Sequence, residues 1–299
     1  METPKQEFIE NMEQEKKYTS RIKLSFFRHG EKENDKSKPD YQIRLTESGR
    51  KDSVEKSDTL NIKQSVAFGS QRKRTQETAA LRMAGNQEEI TGEETLEELK
   101  RKLDSEFHGV GSKIGVDRKL NFHIDTESDF GKTSLENCKD GHYLKFLVEN
   151  SDKMAKETED KKSFTYSKGA SNVAKIIEKY LKISDRWDNL VQNSQKNYDD
   201  TLERYFGTHL SVGECFLARV IEETEGKERR DEFIQALNNQ GFDYNEGFDL
   251  EILKQNEARP IVHIFFKKEL DDQKGEKKTF EFDKNLGLDL IKKIAENNQ

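Results

Sequence analysis

The sequence predicts an α/β fold: a three-layer sandwich on a mostly parallel central sheet, with a helical cap insertion and a small meander at the C-terminal sheet edge. Three observations predict it. Short β-prone runs at residues 22–27, 65–68 and 202–207 each meet polar residues and then a segment of helical apolar spacing, the pattern of βα units around a parallel sheet. Residues 86–163 break that alternation with charged amphipathic segments, in which Leu96, Leu99, Leu103 and Phe107 keep helical spacing. The tail holds β-like runs at 248–253, 261–266 and 279–282, joined by turn-rich segments, which suits an antiparallel meander.

In chain order, residues 1–20 are polar, with only Phe8 and Ile9 to pack, and are expected to be a mobile or helical extension. A single domain then covers 21–299. Residues 22–27 read as a buried strand ending in Arg28-His29-Gly30, followed by a charged loop to Pro39. Thr46 caps a helix expected to reach about Leu60. A second strand, 65–68, meets Gly69-Ser70 and a helix carried by Arg74 to Met83. After the 86–163 insertion come a helix containing Val173, Ile176, Ile177, Tyr180 and Leu181, a strand ending in Thr208-His209, and a helix marked by Phe216, Leu217, Val220 and Ile221. Ile291 and Ile294 mark a final helix after the meander.

Charged residues are 37% and hydrophobic residues 31% of the chain, with mean hydropathy −1.04, so the surface is heavily ionised. With 18 Phe and only 3 Pro, the chain is nevertheless a folding one. The net charge of −7 argues against nucleic acid as a partner, because domains that neutralise phosphate backbones carry a basic face. Cys138 and Cys215 are the only cysteines, and their spacing suggests neither zinc nor a disulfide framework, which fits a reducing cytoplasm. No signal-peptide core and no apolar run near the ~20 residues of a bilayer span are present. Neither a membrane partner nor a metal or other cofactor is expected.

Arg28-His29, Ser70 to Arg74, and His209 follow successive strands, and in a parallel sheet such strand ends share one edge, outside which ligands bind. Two guanidiniums and two imidazoles at one edge make a receptor for a tetrahedral dianion, and a helix starting near Ser211 adds its N-terminal amides. Arg72 and Lys73 are expected to be helix-surface cations. His108, His123, His142 and His263 lack metal-ligand spacing and are read as structural or exposed. Cys215 is read as a small buried hydrophobe, and the charge runs at 93–102 and 156–162 as solvated faces.

Phe26-Phe27-Arg28-His29-Gly30-Glu31 resembles the Arg-His-Gly signature of the histidine phosphatase superfamily (branch 1), the phosphoglycerate mutase-like fold. Four segments follow in that family's order: Leu45-Thr46-Glu47-Ser48-Gly49, the stretch from Ser70 through Arg74 to Thr78-Ala79, Gly169-Ala170-Ser171, and Gly207-Thr208-His209. The resemblance covers residues 21–85 and 165–225. It implies a phosphatase acting on phosphomonoesters, with His29 becoming a phosphohistidine and Arg28, Arg74 and His209 holding the phosphoryl group. It implies Glu127, in Glu127-Ser128-Asp129-Phe130-Gly131, as the proton donor, with Asp125 in reserve. Lys32 and Asn34 depart from the family pattern and weaken a phosphoglycerate mutase reading. A phosphomutase and a non-catalytic phosphate-binding pseudophosphatase are the alternatives, and the substrate is expected to be a phosphorylated small molecule or a phosphoprotein.

Overall fold

A computed structural model describes residues 18–297 except 194, 196, 256–257 and 272–276; of the expected 1–20 extension, residues 1–17 lie outside the described residues. Seven strands form one sheet: β1 (Ser20–Arg28), β2 (Ser65–Gly69), β3 (Ile114–Val116), β4 (Thr201–Thr208), β5 (Gly247–Lys254), β6 (Ile261–Asp271) and β7 (Lys277–Leu286). The order is β3-β2-β4-β1-β5-β6-β7. From β3 to β1 the pairings are parallel, and from β1 to β7 they are antiparallel. The three tail runs are therefore the antiparallel half of the same sheet.

Aromatic residues hold the central strands in register. Phe68, Phe206, Phe26 and Phe248 occupy one row across β2, β4, β1 and β5. Phe26 stacks on Phe206 with ring centroids 4.6 Å apart and on Phe248 at 5.3 Å, and Phe68 stacks on Phe206 at 5.5 Å. Because a one-residue slip would send each ring to the other face, this row fixes where these four strands end.

Helices cover both faces. On one face, Tyr166–Val191, Val212–Glu225, Lys227–Ala236 and Leu288–Glu296 pack over Ile22, Leu24, Phe26, Phe206 and Ile252. On the other, Lys73–Ala84 and Leu96–Phe107 enclose a second core with Phe27, Ala67, Ile114 and Tyr205. Lys73–Ala84 lies so near β4 that a Cβ on Gly207 would stand 2.1 Å from the Thr75 carbonyl oxygen. Glycine at 207 thus lets the helix carrying Arg74 approach the strand leading to His209.

Some boundaries differ from the sequence expectation. The helix capped by Thr46 spans Glu47–Glu55 and stops short of Leu60. There the Ser57 Oγ donates to the Arg82 carbonyl at 2.8 Å and the Thr59 Oγ1 to that of Met83 at 2.7 Å, drawing the chain onto the end of the neighbouring helix instead of continuing its own. Within 86–163, the helices Leu96–Phe107, Asp129–Lys139, Tyr143–Phe146 and Asp152–Glu157 are joined by a short strand, β3, that pairs with β2. The first half of this segment is thereby part of the sheet and of the second core.

No helix among the described residues is long and apolar enough to cross a membrane.

Candidate active site

The parallel half sets the site. Arg28 ends β1 opposite Thr208 of β4, and Gly69 ends β2 opposite Gly207, so His29, Ser70 and His209 leave the sheet side by side. The His29 backbone N–H donates to the Thr208 carbonyl at 3.0 Å. Farther out, the Gly30 N–H donates to Thr78 Oγ1 at 3.0 Å, and the buried Glu77 takes the Arg44 Nε at 2.6 Å and the Leu45 N–H at 3.0 Å. Both ends of the loop after Gly30 are therefore fastened to the helix that bears Arg74.

His29 is buried, with its Nδ1 2.7 Å from the Gly30 carbonyl and its Nε2 3.3 Å from the Arg74 Nε. A carbonyl only accepts and a guanidinium only donates, so Nδ1 carries the proton and Nε2 keeps its lone pair. Burial lowers the pKa most; the Gly30 hydrogen bond opposes that, and the charges of Arg74, Arg28 and Lys32 reinforce it, bringing the group down to about 3. A neutral imidazole is the form that acts as a nucleophile.

His209 is buried 5.5 Å from His29, ring centre to ring centre, with the planes at 73°. Its Nε2 meets the Ser70 Oγ at 2.8 Å and the Arg72 Nη1 at 3.4 Å. Complete burial, then the neighbouring His29, Arg72 and Arg74, keep it well below its ordinary pKa.

Arg28 stands beside this pair but turns its Nη1 to the Phe242 carbonyl at 2.6 Å. Its guanidinium lies 4.3 Å from the centre of the Tyr244 ring, whose own centre is 5.9 Å from that of His29. Tyr244 is held there by its neighbour: the Asn245 N–H donates to the Arg28 carbonyl at 3.1 Å, and its side chain joins Asp52 and Ser53. Asn245 adopts φ 57°, a left-handed conformation that asparagine tolerates.

The structure brings together Arg28, His29, Arg74 and His209, and leaves Glu127 apart. Glu127 is exposed before the Asp129–Lys139 helix, its backbone N–H directed to Asp125 Oδ1 at 3.3 Å. Its carboxylate makes no hydrogen bond or ion pair with those four residues, and the Asp125 carboxylate pairs with Lys162 at 3.1 Å. The carboxylate that does reach the site is Asp40, bound to the Arg72 Nε and, at 3.0 Å, to the Arg74 Nη1. Partial burial opposes its ionisation, but the charges of Arg72 and Arg74 outweigh that and hold Asp40 below its ordinary pKa.

Arg72 corrects the sequence reading, which made it a helix-surface cation. It is the N-cap of Lys73–Ala84 with extended backbone, so its side chain is not bound to the helical face. Besides Asp40 and His209 it reaches the Phe122 carbonyl at 2.6 Å. Its place just before the helical periodicity was the one available signal; Asp40 and Tyr244 had none. Lys73 remains on the surface, paired with Glu97 at 3.2 Å. Cys215 is fully buried, as read.

The family model described as "Histidine phosphatase superfamily (branch 1)" matches residues 24–102. No curated protein matches the chain. Among solved structures, a protein titled "Mycobacterial hydrolase 1" is 11% identical with a TM-score of 0.42, covering 82% of this chain and 96% of its own. A mycobacterial glucosyl-3-phosphoglycerate phosphatase is likewise 11% identical over 82% of this chain and 96% of its own, with a TM-score of 0.39. The stretch of similarity to that family, residues 24–102, takes in the Arg28-His29-Gly30 turn and the helix of Arg74.

Proposed function

We propose that the protein is a phosphatase that hydrolyses phosphomonoesters through a phosphohistidine on His29. The observation that carries this reading is the pair of contacts on the His29 ring: Nδ1 spent on the Gly30 carbonyl and Nε2 facing Arg74. The lone pair of Nε2 attacks phosphorus, the P–N bond forms as the ester P–O bond breaks, and the leaving oxygen takes a proton. Water then attacks phosphorus and returns a proton to the carboxylate that had protonated the leaving oxygen, the P–N bond breaks, and inorganic phosphate leaves with His29 neutral again. Arg28, Arg74 and His209 hold the equatorial oxygens in line, where charge stabilisation is most effective. The reading includes independence from metal ions, since arginine supplies the charge, and a cytoplasmic location.

Single-turnover rapid quench with p-nitrophenyl phosphate, with and without EDTA, tests it. An acid-labile phosphoryl group on His29, formed at the same rate in both, is expected. Tight phosphate binding without any phosphoenzyme would instead identify a non-catalytic module, and phosphoryl exchange without phosphate release a mutase.

Glu127 is the proposed proton donor, on sequence pattern; Asp40 is its rival, on position, provided that the substrate phosphate takes over Arg72 and Arg74, which in its absence hold the Asp40 carboxyl ionised. Glu127→Gln is expected to slow glycerol 2-phosphate by about 10²-fold while sparing p-nitrophenyl phosphate, whose leaving group departs without a proton. If Asp40→Asn shows that split and Glu127→Gln does not, the donor is Asp40.

A further inference from the structure

A cleft of about 750 Å³ is lined by Tyr41, Gln71, Val116 and Arg118. Each lining residue is tied to the site by the chain itself. Tyr41 follows Asp40, whose carbonyl accepts the Arg74 Nη1 at 2.9 Å. Gln71 stands between Ser70 and Arg72, both of which touch His209. Val116 ends β3, and the next residue, Asp117, donates its N–H to the Gly69 carbonyl at 2.9 Å. A reciprocal pair of 3.0 Å hydrogen bonds between Gln71 and Asn121 then fastens the Arg118 turn to the Ser70 turn.

The chemistry of this lining is specific. Tyr41 is 56% and Val116 48% exposed, so both offer apolar surface to a molecule that enters the cleft. Tyr244, a further exposed aromatic, stands against His29 itself. Arg118 supplies a guanidinium able to lie on a π face. The Gln71 Oε1 is taken by Asn121, which leaves its amide N–H groups without a hydrogen-bond partner among the described residues. An aromatic face, an aliphatic face, a guanidinium and one donor suit a flat ring better than a polyol, whose hydroxyls would need several partners.

We propose that this cleft is the leaving-group subsite and that it takes a planar aromatic ring, so that the substrates are phosphomonoesters whose phosphate is borne by, or next to, such a ring. The inference rests on the phosphomonoesterase reading above. It is tested with phosphonates, whose P–C bond is not hydrolysed, so that binding is measured apart from turnover.

Calorimetric titration of the full chain with phenylphosphonate and methylphosphonate is expected to show the phenyl compound binding about tenfold tighter. Tyr41→Ala and Val116→Ser are expected to bring that ratio close to one, and Tyr41→Phe to restore it. Because both side chains are exposed, these variants leave the core intact. Equal affinities for the two phosphonates in the unaltered protein, or a ratio that survives both substitutions, overturns the ring subsite even where phosphohistidine forms. Failure of both phosphonates and of inorganic phosphate to bind, with no phosphoenzyme, overturns the phosphomonoesterase reading along with it.

Discussion

His29→Ala is expected to lower kcat for p-nitrophenyl phosphate on the order of 10⁴-fold or more. The substrate isolates the step: p-nitrophenolate leaves unprotonated, so neither Glu127 nor Asp40 limits the rate, and what is lost is nucleophilic attack. Among the described residues of the site, no other side chain is arranged to replace it. His209 directs its Nε2 to the Ser70 hydroxyl at 2.8 Å, and Arg28 and Arg74 are donors only. The variant is expected to remain folded, because His29 is desolvated in a state that already disfavours its charge. Steady-state kinetics beside thermal unfolding decide the matter: a folded His29→Ala protein retaining about a tenth or more of the activity would remove His29 from the nucleophile's role.

Glu214→Gln is expected to stabilise the protein at pH 8 by about 3 kcal/mol and to have little effect below pH 4.5. Glu214 is fully buried in the first turn of Val212–Glu225. Its Oε1 accepts the Phe242 N–H at 2.8 Å, while its Oε2 has no hydrogen-bond partner among the described residues. Burial raises the pKa, and the hydrogen bond from Phe242 and the charge of Arg28 oppose it, leaving the group up to about 7 against an ordinary 4.5. Between those values the folded chain binds the proton that the unfolded chain has lost. Stability tied to Glu214 is therefore fully present below pH 4.5 and is lost as pH rises through about 7.

His29 acts in the opposite direction. Its folded pKa of about 3 lies below its ordinary 6.5, so the unfolded chain takes up the proton first as pH falls through that window. Each unit then removes roughly 1.4 kcal/mol. Since His29 is common to both proteins, subtracting the two denaturation curves cancels it and leaves Glu214 alone. Gln retains an oxygen for the Phe242 N–H and cannot ionise. A difference in unfolding free energy that stays constant from pH 4 to 8 would contradict the assignment.

The sequence by itself determined the elements whose causes are local. Ile22, Leu24 and Phe26 alternate into a buried strand, Thr46 caps a helix whose Gly49 N–H it accepts at 3.0 Å, and Leu96, Leu99 and Leu103 turn one helical face inward. The polar residues at three strand ends were enough to gather Arg28, His29, Arg74 and His209, because parallel strands in one sheet must end on one edge.

Only the tertiary structure decided the rest. Asp40 reaches Arg72 and Arg74 from an exposed turn of 3-10 helix, Tyr244 covers Arg28 from a turn before β5, and the short strand β3 joins the sheet because β2 offers it an edge. Glu127 stays exposed despite its place in the pattern, and Glu214 ionises late because helices and Phe242 enclose it. Periodicity and capping act over a few residues and can be read along the chain. The direction of a loop side chain and the solvation of a carboxyl depend on atoms far away in sequence, and those are assembled only when the core closes.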